Sequence, residues 1–357
     1  MIDFETLSPD APAIVLLCTS LGETRSQGQG QRPLGPVGYS DLADRLRRQS
    51  FQGPRDLIGL DAEAISRSLG IDLGAAADIE ARLARAGHIG FEFDRLRSNG
   101  VWFVTVADEA YPAELLRRLG ANAPPVLFGT GDAQLLRVGG IAVVGSRDAD
   151  DAATAFTERL ATAVASGATR VVSGGARGID VTAMRSAFAA GGTVVGVVPE
   201  GVERRLREGS TRSAVAEGRA VLISPYHPMA PFSAGAAMGR NKLIYGFSDV
   251  AVVVSSADGS GGTWTGAIEA LKGGWVPVVV RSGPGAPPGN AALVARMKEV
   301  DAARAAGRPT IPSTIGLEKQ TNPFCRPASA ELRRTLGMEK ANDVDVLGET
   351  RRRKDNF

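Results

Sequence analysis

Four short stretches of this sequence carry residues suited to one kind of chemistry, the binding of phosphate. The first is the turn Gly145-Ser146-Arg147, which follows an apolar run and precedes a helical pattern. A buried strand that ends in a tight turn and a helix N-terminus offers free backbone N–H groups and the positive end of a helix dipole. Arg147 adds a fixed positive charge. The glycine spacing is not G-x-G-x-x-G, so the turn predicts no dinucleotide site, and an ordinary turn of an α/β domain is the alternative.

The second stretch is Ser173-Gly-Gly-Ala-Arg-Gly-Ile-Asp180. Its three glycines, which let the backbone approach a ligand closely, are Gly174, Gly175 and Gly178. Arg177 supplies positive potential, and Ser173 supplies a hydroxyl. Three roles are open for Asp180: it complements the dipole of the following helix, accepts a hydrogen bond from a sugar hydroxyl, or holds Arg177 in place.

The third stretch is Arg240-Asn241-Lys242, in a predicted helix that leads into a strand over 250–254. Successive positions of a helix point in different directions, so the two cations need not share a target. One of them can enter a ligand cleft while the other pairs with an acid. A solvated basic helix face is the alternative, but it does not explain why the charges lie just before a buried strand.

The fourth stretch, residues 258–267, lies between a strand and a helix and is rich in glycines and hydroxyls. The residues predicted to form an anion cradle there are Ser260, Gly261, Gly262, Thr263 and Thr265. Trp264 either stacks on a base or packs at the start of the helix. Four such stretches in one domain are much less expected by chance than one.

A regular alternation of strands and helices positions these stretches. Strands are predicted over 141–145, 170–173, 193–198, 220–223, 250–254 and 276–280, and helices over 152–166, 177–190, 211–217, 234–246 and 263–272. Alternation at this spacing predicts right-handed crossovers and an α/β fold with a mostly parallel sheet. Because ligands bind outside the carboxyl ends of such strands, we expect the four stretches to converge on one edge of the sheet.

The composition excludes a globally basic protein. The 41 Lys and Arg residues nearly balance the 39 Asp and Glu residues, for a net charge of +2, so any nucleic-acid site must be a local patch. Cys18 and Cys325 lie far apart, which fits a reduced, cytoplasmic protein. The apolar run over 13–18 is too short to span a membrane, and we predict no membrane association.

Composition and pattern divide the chain into four segments. Residues 1–35 are an N-terminal segment, predicted to be partly flexible because of its Gly, Gln, Arg and Pro content. Residues 36–98 are predicted to form a small helical domain, SAM/HhH-like, whose short helices either pack as a plain bundle or hold DNA backbone. Residues 99–282 are predicted to form the alternating domain. Residues 283–357 are a C-terminal extension. Its basic end, Arg351-Arg-Arg-Lys354, is either a solvated tail or a contact to nucleic acid.

Enzymatic chemistry has little support in the sequence. No nucleophile is paired with a base, His88 and His227 are expected to be incidental, and Glu200 and Glu269 are lone carboxylates. There is no G-x-x-x-x-G-K-[ST] pattern for a P-loop. We therefore predict a binding protein without catalytic residues, metal site or cofactor.

From about residue 100 to residue 281 the sequence resembles the DprA/Smf family of DNA-processing proteins. The motifs that carry the resemblance are Tyr111-Pro112, Pro125-Val-Leu-Phe-Gly129, Val144-Gly-Ser-Arg147, the stretch from Ser173 to Asp180, Arg240-Asn-Lys242 with Gly246-Phe-Ser248, and Ser260-Gly-Gly-Thr-Trp-Thr265. The resemblance implies an extended Rossmann-like domain that binds single-stranded DNA, protects it, forms a homodimer and loads the RecA recombinase in transformation or recombination. Position by position, it places the DNA pocket at Gly145, Ser146, Arg147, Gly174, Gly175, Arg240, Asn241 and Lys242.

The sequence departs from the family pattern at several positions. Met184 stands where the family usually has His, and Pro225 stands where it has Glu. Ala237 replaces a common Phe, and the nearest aromatic residue upstream is Phe232. Lys242 replaces the second arginine of an Arg-Asn-Arg sequence and so lacks the guanidinium fork.

The alternative hypothesis is a protein for small nucleotides, either a sensor or an enzyme. The stretch Gly261-Gly-Thr-Trp-Thr265 also resembles the G-G-x-G-T loop of nucleoside-monophosphate phosphoribohydrolases, although Trp264 replaces a glycine and Glu269 falls one position late. A closed pocket would favour a mononucleotide, and an open basic groove would favour a strand. A scaffold with a vestigial cleft is the third hypothesis.

Overall fold

The computed structural model describes residues 2, 4–23, 32–49, 51–137, 139–167, 169–307 and 326–355. The chain forms two compact units, residues 1–298 and residues 299–357. The segment boundaries at residues 35, 98 and 282 stay predictions. Most of the glycine-rich part of the N-terminal segment, and Cys325, lie outside the described residues.

Five helices open the first unit, with short 3₁₀ turns over Phe4–Thr6, Pro54–Leu57 and Ala84–His88. They are α1 (Ala11–Cys18), α2 (Pro36–Arg48), α3 (Ala62–Leu69), α4 (Leu73–Leu83) and α5 (Ile89–Ser98). Helix α1 consists almost wholly of apolar residues, and six of its eight residues are buried. The side chains of Asp61 and Asp72 cap α3 and α4 by accepting backbone hydrogen bonds.

Within the described residues, eight strands form one sheet. They are β1 (Trp102–Thr105), β2 (Val126–Gly131), β3 (Ile141–Gly145), β4 (Arg170–Ser173), β5 (Thr193–Val197), β6 (Ala220–Ser224), β7 (Val250–Ser255) and β8 (Val278–Val280). Their order is β1-β2-β6-β5-β4-β3-β7-β8; β1 and β2 pair antiparallel, β2 and β6 do the same, and all other pairs are parallel. The predicted α/β fold with a mostly parallel sheet is confirmed.

The next eight helices in the described chain follow β1, and the last of them extends past residue 298, after which the second unit begins. They are α6 (Ala113–Leu119), α7 (Asp151–Ser166), α8 (Ile179–Ala189), α9 (Val202–Arg205), α10 (Gly209–Ala216), α11 (Ala234–Gly246), α12 (Gly261–Gly273) and α13 (Pro288–Ala305), with 3₁₀ turns over Gly120–Asn122 and Ala133–Leu136. One core contains buried residues of α6, α11 and α12, and another contains those of α7 and α8. A third core joins α1–α5 to β1 and β2. No helix in the described ranges is long and apolar enough to cross a membrane.

The strand order creates one topological switch point. From β3 the chain proceeds to β4, β5 and β6 in one direction, and then returns through α11 to place β7 on the other side of β3. The helices that follow β3 and β7 therefore diverge, and a crevice opens between the two strand ends. This crevice lies between the first and the fourth predicted stretches.

The second unit contains two further helices in its described part, α14 (Ala330–Leu336) and α15 (Asp343–Asp355). Ser329 caps α14, and Arg353 on α15 donates to the carbonyl of Leu336 at the end of α14 at 3.0 Å. The basic end of the chain is therefore helical up to residue 355.

Candidate functional site

A cleft of about 370 Å³ lies at the switch point, and we call it the switch-point cleft. Its lining includes members of all four predicted stretches: Gly145, Ser146, Arg147, Ala176, Asp180, Arg240, Asn241, Ser260, Gly261, Gly262 and Thr263. The expected convergence of the four stretches on one edge of the sheet is confirmed.

Asp180, in the first turn of α8, forms the buried floor of this cleft and is only 6% exposed. Its carboxylate accepts hydrogen bonds from the backbone N–H groups of Gly145, Gly174 and Ala176. Burial raises the pKa of Asp180 to about 6, while the charge of Arg240 and the three N–H groups act in the opposite direction. These backbone N–H groups, at the ends of β3 and β4, therefore already donate to a carboxylate of the protein itself.

Arg240 packs closely against Gly174. The guanidinium group of Arg240 is buried and donates to the carbonyl of Gly174 at 2.9 Å. A Cβ at position 174 would lie 2.3 Å from this group. Burial lowers the pKa of Arg240, and the nearby Asp180 opposes that effect. Arg240 is therefore a buried partner of the second stretch as well as part of the cleft wall.

Asn241 links the third and fourth stretches. Its side-chain oxygen accepts from Arg240 at 2.6 Å, and its side-chain nitrogen donates to the carbonyl of Gly262 at 3.1 Å. Through Arg240 and Asn241, the second stretch and the start of α12 are held in one hydrogen-bonded chain. Side chains locked in this way keep a binding site in one geometry.

The N-terminus of α12 and Arg147 supply the open, positive part of the cleft. Ser260 precedes α12 but its side chain does not cap the helix. A Cβ on Gly261 would meet no atom within 4 Å, so this helix end faces open space. Arg147 is exposed and lines the same cleft, and it forms no ion pair with any described residue. Uncapped N–H groups beside an unpaired guanidinium group favour an anion.

Two predicted cations lie elsewhere. Arg177 does not line the switch-point cleft; it is exposed and pairs with Asp148 at 2.6 Å, so Asp180 does not hold it. Lys242 is half-buried and lines neither this cleft nor the one beside it. Burial lowers the pKa of Lys242, and the carboxylate of Glu269 opposes that effect. The placement of Lys242 in the DNA pocket, which the resemblance implies, is not what the geometry gives.

Four further residues named in the sequence analysis have structural roles or lie outside the cleft. Ser173 is fully buried, and its hydroxyl donates to the carbonyl of Val143 at 2.6 Å, so it offers nothing to a ligand. Thr265 does not line the cleft, because it lies one turn into α12. Trp264 is partly buried against the core, which favours its packing role over base stacking. Gly178 lies at φ +83°, where its Cα approaches the carbonyl oxygens of the first turn.

A second cleft of about 470 Å³ adjoins the first and contains residues that the sequence analysis did not select. We call it the arginine cleft. It shares Arg147 and Arg240 with the switch-point cleft, so the two form a continuous groove, and it adds Arg204, Arg205 and Phe232. Gly175 and Arg177 lie here. Charge clustering in α9 was the available sequence signal, but a basic pair on a short helix is usually a solvated face.

Metal ligands are not assembled in the part of the chain that the structure describes: no group of three His, Cys, Asp or Glu side chains there is placed to hold an ion. His227 is half-buried, and its Nδ1 accepts from the backbone N–H of Met229 at 3.1 Å. Burial lowers its pKa. Glu200 pairs with Arg205 at 3.1 Å, and Glu269 is exposed and does not line either cleft.

Comparison with known protein families matches this fold and groove to one family. The model of the DNA recombination-mediator protein A family matches residues 102–287, more than half of the chain. The chain belongs to this family. The match covers the whole sheet and both clefts, and so includes each of the four stretches.

Of two solved structures, that from Streptococcus pneumoniae agrees with the fold. The X-ray structure of DNA processing protein A from Streptococcus pneumoniae covers 73% of this chain and 93% of its own, with a TM-score of 0.51 and 22% identity. A structure of DNA processing protein A from Helicobacter pylori, described for its single-stranded DNA binding mode, covers 58% of this chain with a TM-score of 0.46 and 21% identity. The extended Rossmann-like fold expected from the resemblance is confirmed.

The C-terminal part of the chain matches a different family. Residues 285–357 match the C-terminal region of hydroxyacylglutathione hydrolase. The hydrolase of Ruegeria pomeroyi is 53% identical over 70 residues, and that of Rhizobium meliloti is 51% identical over 70 residues. These stretches are 20% of this chain and 28% and 27% of the two hydrolases, so the chain spans little more than a quarter of their length. The sequence analysis found no sign of this match.

Proposed function

We propose that the protein binds single-stranded DNA along the groove formed by its two clefts, with a backbone phosphate at the N-terminus of α12. The observation that carries the proposal is the unpaired Arg147 beside the uncapped N-terminus of α12, at the switch point. Membership of the DNA recombination-mediator protein A family supports it. Contacts of this kind recognise the phosphate backbone, so we expect little sequence preference.

Binding explains the groove better than hydrolysis of a nucleotide. A phosphoribohydrolase-like reaction needs a carboxylate at the sugar, and Glu269, the residue nearest to the expected position in the sequence, lines neither cleft. Glu200 lies in the arginine cleft but is neutralised by Arg205. Asp180 is buried beneath backbone donors. A sensor that binds a nucleotide without cleaving it is the remaining competitor.

The family resemblance supports further proposals about partners. We infer that the protein acts in the cytoplasm as a homodimer, protects strands, and loads RecA in transformation or recombination. Light scattering of the DNA-bound protein and RecA filament formation on protein-coated strands are the measurements that test them.

A salt series with cleft variants tests the location of the site. Arg147→Gln is expected to weaken binding of a fluorescent oligo(dT) and to reduce the slope of log K against log[salt] by about 0.7, because one phosphate contact is lost. Lys242→Gln is the matched control: it also removes one positive charge, from a residue outside both clefts, and should change affinity by less than about twofold. Equal losses of affinity in both variants would show that the DNA site lies outside this groove.

A further inference from the structure

The arginine cleft has more positive charge than its own acids neutralise. Arg205 is paired with Glu200 at 3.1 Å and with Glu208 at 3.0 Å. Arg204 is exposed and forms no ion pair with a described residue, as is also true of Arg147. The cleft therefore presents two unpaired guanidinium groups, one at the boundary with the switch-point cleft and one on α9.

Arg177 and Arg240, which also line this cleft, are already paired. Arg177 forms its ion pair with Asp148, and Arg240 lies against the buried Asp180. An ion pair between two exposed side chains is weak, so Arg177 can exchange its carboxylate for a phosphate, but it is not a free charge in the unbound protein.

Phe232 provides the cleft with an aromatic face. Its side chain is 55% exposed, and its ring centroid lies 5.9 Å from the guanidinium carbon of Arg147. Aromatic rings that are open to solvent beside cations are the platforms on which unpaired bases stack. The ring therefore lies beside the path of a DNA strand whose phosphate is bound at Arg147, within reach of the next base.

The position of Phe232 is fixed by its neighbours in the chain. Ala230 accepts a backbone hydrogen bond from Gly201 at 3.0 Å and donates one to His227 at 2.8 Å. Immediately after Phe232, the side chain of Ser233 caps α11 by accepting from Ala236 at 3.0 Å. A ring held between two anchored residues loses little conformational freedom when a base stacks on it.

We propose that the arginine cleft is a second nucleotide subsite, which stacks one nucleobase on Phe232 and holds the following phosphate at Arg204. This inference rests on the proposed function, and it specifies the ligand class as a strand of at least two nucleotides. A mononucleotide fills the switch-point cleft alone and leaves Phe232 and Arg204 without contacts.

Strands with and without bases separate stacking from charge. The full-length protein is titrated with (dT)₆ and with a hexamer of abasic sites, which has the same phosphates. Phe232→Leu is expected to weaken (dT)₆ binding by roughly 5- to 150-fold, the range for loss of one base–aromatic stack. Binding of the abasic hexamer should stay within about twofold, because its phosphate contacts are unchanged.

Three control variants define the result. Phe232→Tyr keeps the ring and should bind (dT)₆ like the wild type. Phe91→Leu removes a ring on α5 that is 76% exposed and lies outside both clefts, so it should change the affinity for neither hexamer. Arg204→Gln should weaken both hexamers, and should lower the salt slope by about 0.7 because one phosphate contact is lost.

The outcomes distinguish this inference from the function on which it rests. If the wild type binds (dT)₆ and Arg147→Gln weakens it, but Phe232→Leu affects both hexamers equally or neither, the second subsite is wrong and the strand-binding function stands. If the wild type does not bind (dT)₆ at low salt, both are wrong. A gain in affinity from dTMP to dinucleotide that disappears in Phe232→Leu would support the subsite.

Discussion

Asp180 and Arg240 show how one residue pair sets the geometry of the groove. Asp180 accepts hydrogen bonds from backbone N–H groups at the ends of β3 and β4. Arg240 donates a hydrogen bond to the carbonyl of Gly174, in the loop that follows β4. A buried carboxylate without its partners would be costly, so the pair and the loops must assemble together. The open donors for a ligand are left at α12 and Arg147.

The raised pKa of Asp180 predicts a pH dependence of stability. Its pKa is about 6 in the folded protein against an ordinary value of 3.8, so between these values the folded state binds more protons than the unfolded state. The free energy of unfolding therefore falls as the pH rises through this window. The neighbouring Tyr245 stays neutral throughout, because burial raises the pKa of that phenol.

Asp180→Asn isolates this effect, since the variant has no titrating group at the position. The difference in unfolding free energy, wild type minus variant, should decline by up to about 3 kcal/mol between pH 4 and pH 7. Urea unfolding of both proteins at four pH values measures it. A difference that is constant, or that grows with pH, would refute the proton linkage at Asp180.

The sequence predicted the location of a site residue correctly where the local backbone, a strand-to-helix turn, determines that location. Arg147 and Gly261 follow directly from strand-to-helix turns, and both line the cleft. Ser173 and Lys242 do not line either cleft, because their surroundings depend on tertiary packing. The hydroxyl of Ser173, at the end of a buried strand, donates to the carbonyl of Val143 on the neighbouring strand.

At the scale of elements, the turn before α8 is the most constrained part of the site. Gly178 precedes this helix at φ +83°, and a Cβ there would lie 2.4 Å from the carbonyl oxygen of Ser146 and 2.6 Å from that of Arg147. Backbone atoms cannot move aside as a flexible side chain can. The first and second stretches are therefore in direct backbone contact, and only glycine fits between them.

Gly178→Ala is expected to lower the free energy of unfolding by at least about 1–3 kcal/mol, from strain at positive φ and the steric clash. It should also weaken DNA binding, because the clash displaces the carbonyl of Arg147. Gly235→Ala, in the first turn of α11 with no atom within 4 Å of its Cβ, is the control and should be neutral or slightly stabilising. Equal midpoints of urea unfolding for the two variants would contradict the account.

The six strands and five helices predicted for the alternating domain match the structure within a few residues, whereas α9 was not predicted. Parallel strands buried on both faces are continuous apolar runs, and these stand out in any sequence. Strand β8 begins two residues later than predicted, at Val278. The antiparallel placement of β1 and β2 beside β6 was not predictable, because the pattern of one strand does not specify its neighbour.

At the scale of the whole molecule, the chain combines regions that match two families. The groove and the sheet lie in the first unit, and the match to hydroxyacylglutathione hydrolase lies at the C-terminal end. Within the described residues, α14 has no buried residue. A short polar helix gives no periodic apolar signal, so α14 was not predicted from the sequence.

A protein that ends at Gly307, after α13, is expected to bind oligo(dT) within about twofold of the full-length affinity, because every residue of both clefts precedes it. Fluorescence anisotropy of the two proteins side by side measures this. The full-length double variant Arg351→Gln/Arg352→Gln separates an effect of the basic end from an effect of the whole unit. A tenfold loss on truncation would show that the second unit contributes to DNA binding.

The most direct test of the central claim is the affinity of the full-length protein for three ligands at one salt concentration: a single-stranded 20-mer, its duplex, and a nucleoside monophosphate. We expect the single strand to bind most tightly and its affinity to fall steeply as salt is raised, since several phosphates are neutralised together. Tighter binding of the mononucleotide than of the strand would contradict it, and would identify the groove as the site of a nucleotide sensor.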